Sequence, residues 1–148
     1  KPKAVSIDNM KKALVYSQDI HPYRHEILVC VGATPKDILK WVKVNGTKYA
    51  QKDFSSILSQ EKELFEKIVN GEKKGYALHF TKDKRDYYFL LLQTLSDKWD
   101  YWECLIHEIS HIIDWIVEAC MLEKETEARA YLHEWLFREI RRKIQGLN

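Results

Sequence analysis

The strongest constraint on this chain is an apolar stripe at helical spacing near its C-terminal end. Leu105, Ile109, Ile112 and Ile116 fall at i, i+4, i+7 and i+11, the period that lines one face of an α-helix. Trp102, Ile106 and Ile113 widen the flank of the stripe. Such a face has to be buried against another layer, so the segment of about residues 96 to 119 reads as a helix lying on a core. A second helix reads over about residues 124 to 144. The connection through Cys120, Met121 and Leu122 is short, which makes the two helices antiparallel neighbours.

Ahead of this pair, Ile27-Leu28-Val29-Cys30-Val31 is a β-branched run closed by Gly32 and reads as a buried strand. Thr34-Pro35 is an N-cap and first-turn pair that opens a helix through Ile38, Leu39, Trp41 and Val42, stopped at Asn45-Gly46. A further helix is expected over about residues 55 to 69, with Ile57, Leu58, Leu64, Phe65 and Ile68 inward and Asn70-Gly71 as its cap. Residues 76–80 and 87–92 look like a β-hairpin around the polar stretch 81–86. The run from Met10 to Tyr16 fits a short helix or a strand equally well. The 148 residues suit one domain, and the expected class is α+β: a small sheet with a hairpin packed on helices, and a C-terminal helical pair carrying the chemistry.

Composition narrows the partners. Lys and Arg number 24 against 22 Asp and Glu, a net charge of +2, which gives no general reason to expect nucleic acid or an anionic membrane. The basic group Arg138, Arg141, Arg142 and Lys143 sits in the last helical turns, where positive charge complements the helix dipole. Cys30, Cys104 and Cys120 are odd in number and widely spaced. They read as free thiols in a reducing, cytoplasmic setting rather than a disulfide scaffold. No apolar run reaches the roughly 18–20 residues of a membrane span, and no apolar signal core follows Lys1-Pro2-Lys3.

The chemistry concentrates in His107-Glu108-Ile109-Ser110-His111, an H-E-x-x-H motif. Histidines at i and i+4 share a helix face and can offer one nitrogen each to a zinc ion at roughly 2.0 to 2.1 Å. Both fall nearly opposite the centre of the apolar stripe, where a histidine serving only as core filling would not sit. Glu108 points about 100° away around the helix. It therefore suits the proton-transfer role on an attacking water rather than a place among the ligands. A catalytic zinc generally takes a third protein ligand. Glu127 is preferred, because it shares a face with Tyr131 and is flanked by the small Ala128 and Ala130. Asp114 on the histidine face, Glu123, Glu125 and Cys104 stay open as alternatives.

His107-Glu108-x-x-His111 followed by Glu125-Thr126-Glu127-Ala128 resembles the gluzincin branch of the zincin-like metallopeptidases. It is most similar to the small metallopeptidases found in bacterial viruses and bacteria. The resemblance covers about residues 103 to 131 and implies a minimal zincin-like domain with Zn2+ held by His107, His111 and Glu127. It further implies that Glu108 activates water against a peptide carbonyl. As in zincins generally, a hairpin strand, 76–80 or 87–92, would pair with an extended peptide or protein substrate; Tyr131, one turn after Glu127, is placed either to donate its hydroxyl to the oxyanion or, the reading its aromatic ring favours, to pack in the core. Departures are specific: the metzincin pattern wants Gly at 114 and His at 117, where Asp114 and Val117 stand, and the thermolysin-like Asp is replaced by Tyr131. A zincin-fold binding or host-interaction protein without turnover is the alternative reading, and a metal-free α+β interaction domain the third. The remaining histidines, His21, His25, His79 and His133, lack recruiting spacing, and His133 is expected to face solvent.

Overall fold

Apolar runs on both sides of the chain midpoint become the inner strands of one sheet, and their burial on two faces sets the architecture. The structure, a computed structural model, describes residues 13–20, 23, 25–97, 100–120 and 125–146. Its elements are β1 (Leu14–Ile20), β2 (His25–Val31), α1 (Pro35–Asn45), α2 (Lys48–Gln60), α3 (Lys62–Val69), β3 (Gly75–Lys82), β4 (Arg85–Leu92), α4 (Tyr101–Ala119) and α5 (Thr126–Ile144). The class is α+β, as the sequence predicts. The undecided N-terminal run resolves as a strand from Leu14 onward, while Met10, Lys11 and Lys12 lie outside the described residues.

The sheet runs β1-β2-β4-β3. β1 and β2 are antiparallel, β2 and β4 parallel, and β3 and β4 antiparallel. The parallel central pair is covered on both faces, which is why β2 and β4 read as near-continuous apolar runs rather than alternating ones. Leu28, Cys30, Phe89 and Leu91 pack under α1, α2 and α3. Ile27, Val29, Val31, Leu90 and Leu92 face α4 and α5. On α4 the stripe Leu105, Ile109, Ile112 and Ile116 is wholly buried at 0% exposure; each such side chain contributes about 1.5–3 kcal/mol. Ile106, expected on the flank of that stripe, is instead exposed, because the buried arc of α4 is narrower than the flank assigned to it.

Local signals account for most boundaries. Thr34 Oγ1 accepts from the Asp37 N–H while Asp37 Oδ2 accepts from the Thr34 N–H, a capping box that starts α1. The helix expected over 55–69 is in fact two, and it begins earlier. Thr47 caps Lys48 through the Ala50 N–H, and the chain breaks at Glu61, whose φ and ψ are −105° and 21°. The hairpin turn is only Asp83 and Lys84, both with positive φ, so most of the polar stretch 81–86 belongs to strands. Asp53 of α2 is buried and ties this hairpin down. Arg85 Nε and Nη2 donate to its Oδ2 at 3.1 and 2.9 Å, and the Tyr87 hydroxyl donates to the same oxygen at 2.5 Å. The last helices start later than expected, at Tyr101 behind an Asp100 cap and at Thr126. Among the described residues no helix is long and apolar enough to cross a membrane, and Cys30, Cys104 and Cys120 are all unpaired.

Candidate metal and catalytic site

α4 carries the motif on its outward side. His107 and His111 are exposed, and their Nε2 atoms lie 3.3 Å apart with the rings at 84° to each other. Two nitrogens each about 2.05 Å from one zinc, at a tetrahedral angle, stand about 3.3–3.4 Å apart. The observed spacing matches that of two ligands of one tetrahedral ion, and equally that of an N–H···N hydrogen bond between the two rings. Glu108, one residue on, turns inward and is only 7% exposed, with an oxygen 3.9 Å from His107 Nε2.

The motif opens on a cleft of about 360 Å³ between α4 and the outer strand β3. His107, Glu108, His111 and Trp115 form one wall; Gly75, Tyr76 and Ala77, preceded by Lys73, form the other. Two larger hollows, of about 490 and 500 Å³, do not touch the motif. β4 is interior to the sheet and, among the described residues, β3 is its outer strand with no strand beyond it. The Gln93 N–H donates to the Lys74 carbonyl at 3.1 Å, and Leu92 directs its carbonyl to Gly32 at 2.8 Å, away from β3. By antiparallel alternation, the backbone groups of Gly75, Ala77, His79 and Thr81 then point to the free edge.

The other expected site residues are not gathered at the histidines. α5 runs antiparallel to α4, as expected: Arg129 pairs with Asp114, His133 with Ser110 at 3.0 Å, and Arg141 lies 5.0 Å over the Trp102 ring. On that register Glu127 stands level with Ile116, about 7–8 Å along the axis beyond His111. It lies about 200° around α5 from Arg129, and it is exposed. Tyr131 is 69% exposed. Asp114 is engaged by Arg129. Glu125 is exposed at the start of α5, and Glu123 lies outside the described residues. Cys104 packs below β3, where burial and, less strongly, the charge of Glu108 push its thiol up to about 11. Among the described residues no group of three His, Cys, Asp or Glu side chains is arranged to hold a metal.

Several residues had no signal in the spacing. His133 is half-buried rather than facing solvent: the Ser110 hydroxyl donates to the Ile106 carbonyl and so accepts from His133 Nε2. His79 stacks on Tyr88 at 4.6 Å, touches the Trp115 ring at 5.6 Å and bonds Asp86 at 2.9 Å. Bonds from His79 and, next, Thr81 hold the Asp86 carboxyl below its usual range. His25 on β2 lies 3.6 Å from Cys120 Sγ, and His21 lies outside the described residues. Comparisons with protein-family models, with curated proteins and with solved structures find no match to this chain.

Proposed function

We propose that this chain is a zinc-dependent metallopeptidase, hydrolysing peptide bonds in the cleft between α4 and β3. The observation that carries the reading is the 3.3 Å convergence of the His107 and His111 nitrogens beside the inward-turned Glu108. Held there, a zinc ion would polarise a carbonyl and lower the pKa of water toward about 7. Glu108 faces the same cleft and takes the proton from the attacking water, then delivers it to the leaving amine. The free backbone groups of Gly75 and Ala77 pair with an extended peptide, which fixes its carbonyl against α4. Glu127 is the proposed third ligand on the strength of the family resemblance. In this structure Glu127 and Tyr131 are both exposed on α5 and away from the histidine pair, so the resemblance, and not their position, supports the ligand role of Glu127.

The test is Glu108→Gln. It should retain zinc and fold while hydrolysis of a peptide library falls by about 10²- to 10⁴-fold. The second reading, a metal-binding interaction module without turnover, draws on the lack of a third ligand at the histidine pair among the described residues. Equal product yields from native and Glu108→Gln protein would favour it.

A further inference from the structure

A separate cavity lies on the opposite face of the sheet from the histidine pair. It measures about 490 Å³ and opens where the end of α1 and the start of α2 meet β1, β2 and β4, a size usual for a small-molecule site. Side-chain alternation along the strands sorts its lining. Ser17, Glu26, Leu28 and Tyr87 stand on the face under α1 and α2, in line with Cys30 and Phe89. His25, Asp86 and Tyr88 alternate to the α4 face, where the Asp86 carboxylate is held by His79 and Thr81.

The face that remains is aromatic with one negative group. Trp41, Phe54 and Tyr87 supply three rings, the last two edge to face at 5.2 Å, and Leu28 lies buried among them. Of the charged side chains in the lining, Glu26 belongs to this face, and neither Lys nor Arg is present. Its carboxylate accepts from the Ser17 hydroxyl at 3.3 Å. Asp19 is its direct cross-strand partner and adds a second negative charge beside the mouth, a pairing that is unfavourable without a cation nearby. Among the described residues neither carboxylate has an ion-pair partner; Arg24, close in sequence, lies outside them. The Arg85 guanidinium at the Tyr87 hydroxyl is already held by Asp53 at 2.9 Å and Asp83 at 3.6 Å. The C-terminal end of α1 and the N-terminal end of α2 meet at this mouth, so their partial charges oppose each other and leave Glu26 to set the sign.

Ring faces attract a cation whose charge is spread over alkyl groups, and a carboxylate adds to that attraction. An anion would meet Glu26 and Asp19 instead. We infer that this cavity binds a small organic cation, an alkylammonium or quaternary ammonium, with its charge between Glu26 and the rings of Trp41 and Tyr87. The site is independent of the peptidase reading, because no residue of the histidine cleft lines it.

The test is an amide NMR titration of the full-length chain with choline and with its uncharged analogue, which carries tert-butyl in place of trimethylammonium. Benzyltrimethylammonium serves as a larger cationic probe. Both cations should shift the signals of Trp41, Ala50 and Tyr87, and choline should bind about ten-fold more tightly than the uncharged analogue. Glu26→Gln and Trp41→Leu should each bring that ratio toward one, whereas Arg24→Gln and His107→Ala should leave it unchanged. Glu26 is exposed, so its variant keeps the fold and decides the matter if Trp41→Leu unfolds. Absence of shifts at the cavity, equal binding of choline and its uncharged analogue, or a preference that survives Glu26→Gln overturns the inference. Loss of binding in His107→Ala would also overturn it, by placing the cation in the other cleft.

Discussion

His107 and Glu108 are adjacent in the chain and end in opposite environments, one exposed and one buried, because a helix turns about 100° per residue. That division was readable from the wheel, since the stripe on α4 fixes which side faces the sheet. The Glu127 position was not readable in the same way. It depends on the axial register between α4 and α5, set by Arg129 with Asp114 and His133 with Ser110, and neither pair follows from spacing within one helix. The same holds for His133, whose partner lies 23 residues away. Asp53 gives a residue-scale prediction. The Tyr87 hydroxyl first, then Arg85, holds its carboxyl below the ordinary 3.8 in the folded chain. A carboxyl depressed on folding stabilises above its unfolded pKa of about 3.9 and loses that contribution as pH falls through the lower folded value. Urea unfolding of the native chain should therefore show stability dropping below about pH 4. Asp53→Asn should flatten that acid limb and lower stability at neutral pH.

At the scale of elements, the strand β3 owes its closeness to α4 to one missing side chain. A Cβ on Gly75 would stand 2.9 Å from Cys104 Sγ, 3.0 Å from Leu92 Cδ2 and 3.1 Å from the Leu91 carbonyl oxygen. Gly75→Ala should cost about 1–3 kcal/mol by overpacking, read in denaturant unfolding, and push β3 off α4. Pairing it with Cys104→Ala should restore part of the loss, since the sulfur is one of the three obstacles. Helix starts were legible where a cap and an apolar period coincide, as at Thr34. They were missed where the first turns are polar, as in α2, although Thr47 caps it just as directly. The two-residue turn at Asp83 and Lys84 was hidden for a related reason. Both take positive φ, at 49° and 65°, a conformation that hairpin sequences usually announce with Gly or Asn.

For the whole molecule, the α+β class followed from the order of periodic segments, but the strand order did not. Which hairpin strand lies outermost is decided by the parallel pairing of β2 with β4, a contact across more than fifty residues of chain that local patterning does not encode. That pairing places β3 at the edge and so creates the cleft. The core under α4 holds the arrangement: Ile112 is 0% exposed, and Ile112→Ala should destabilise the fold by about 2–5 kcal/mol in denaturant unfolding. Everything proposed for function depends on the outward histidine pair that this core positions. The most direct measurement is metal content of chain purified without chelators, by elemental mass spectrometry. One zinc per native chain is expected, lost in His107→Ala and in His111→Ala and weakened in Glu127→Gln. Native chain free of zinc, or zinc retained in both histidine variants, would contradict the metal site.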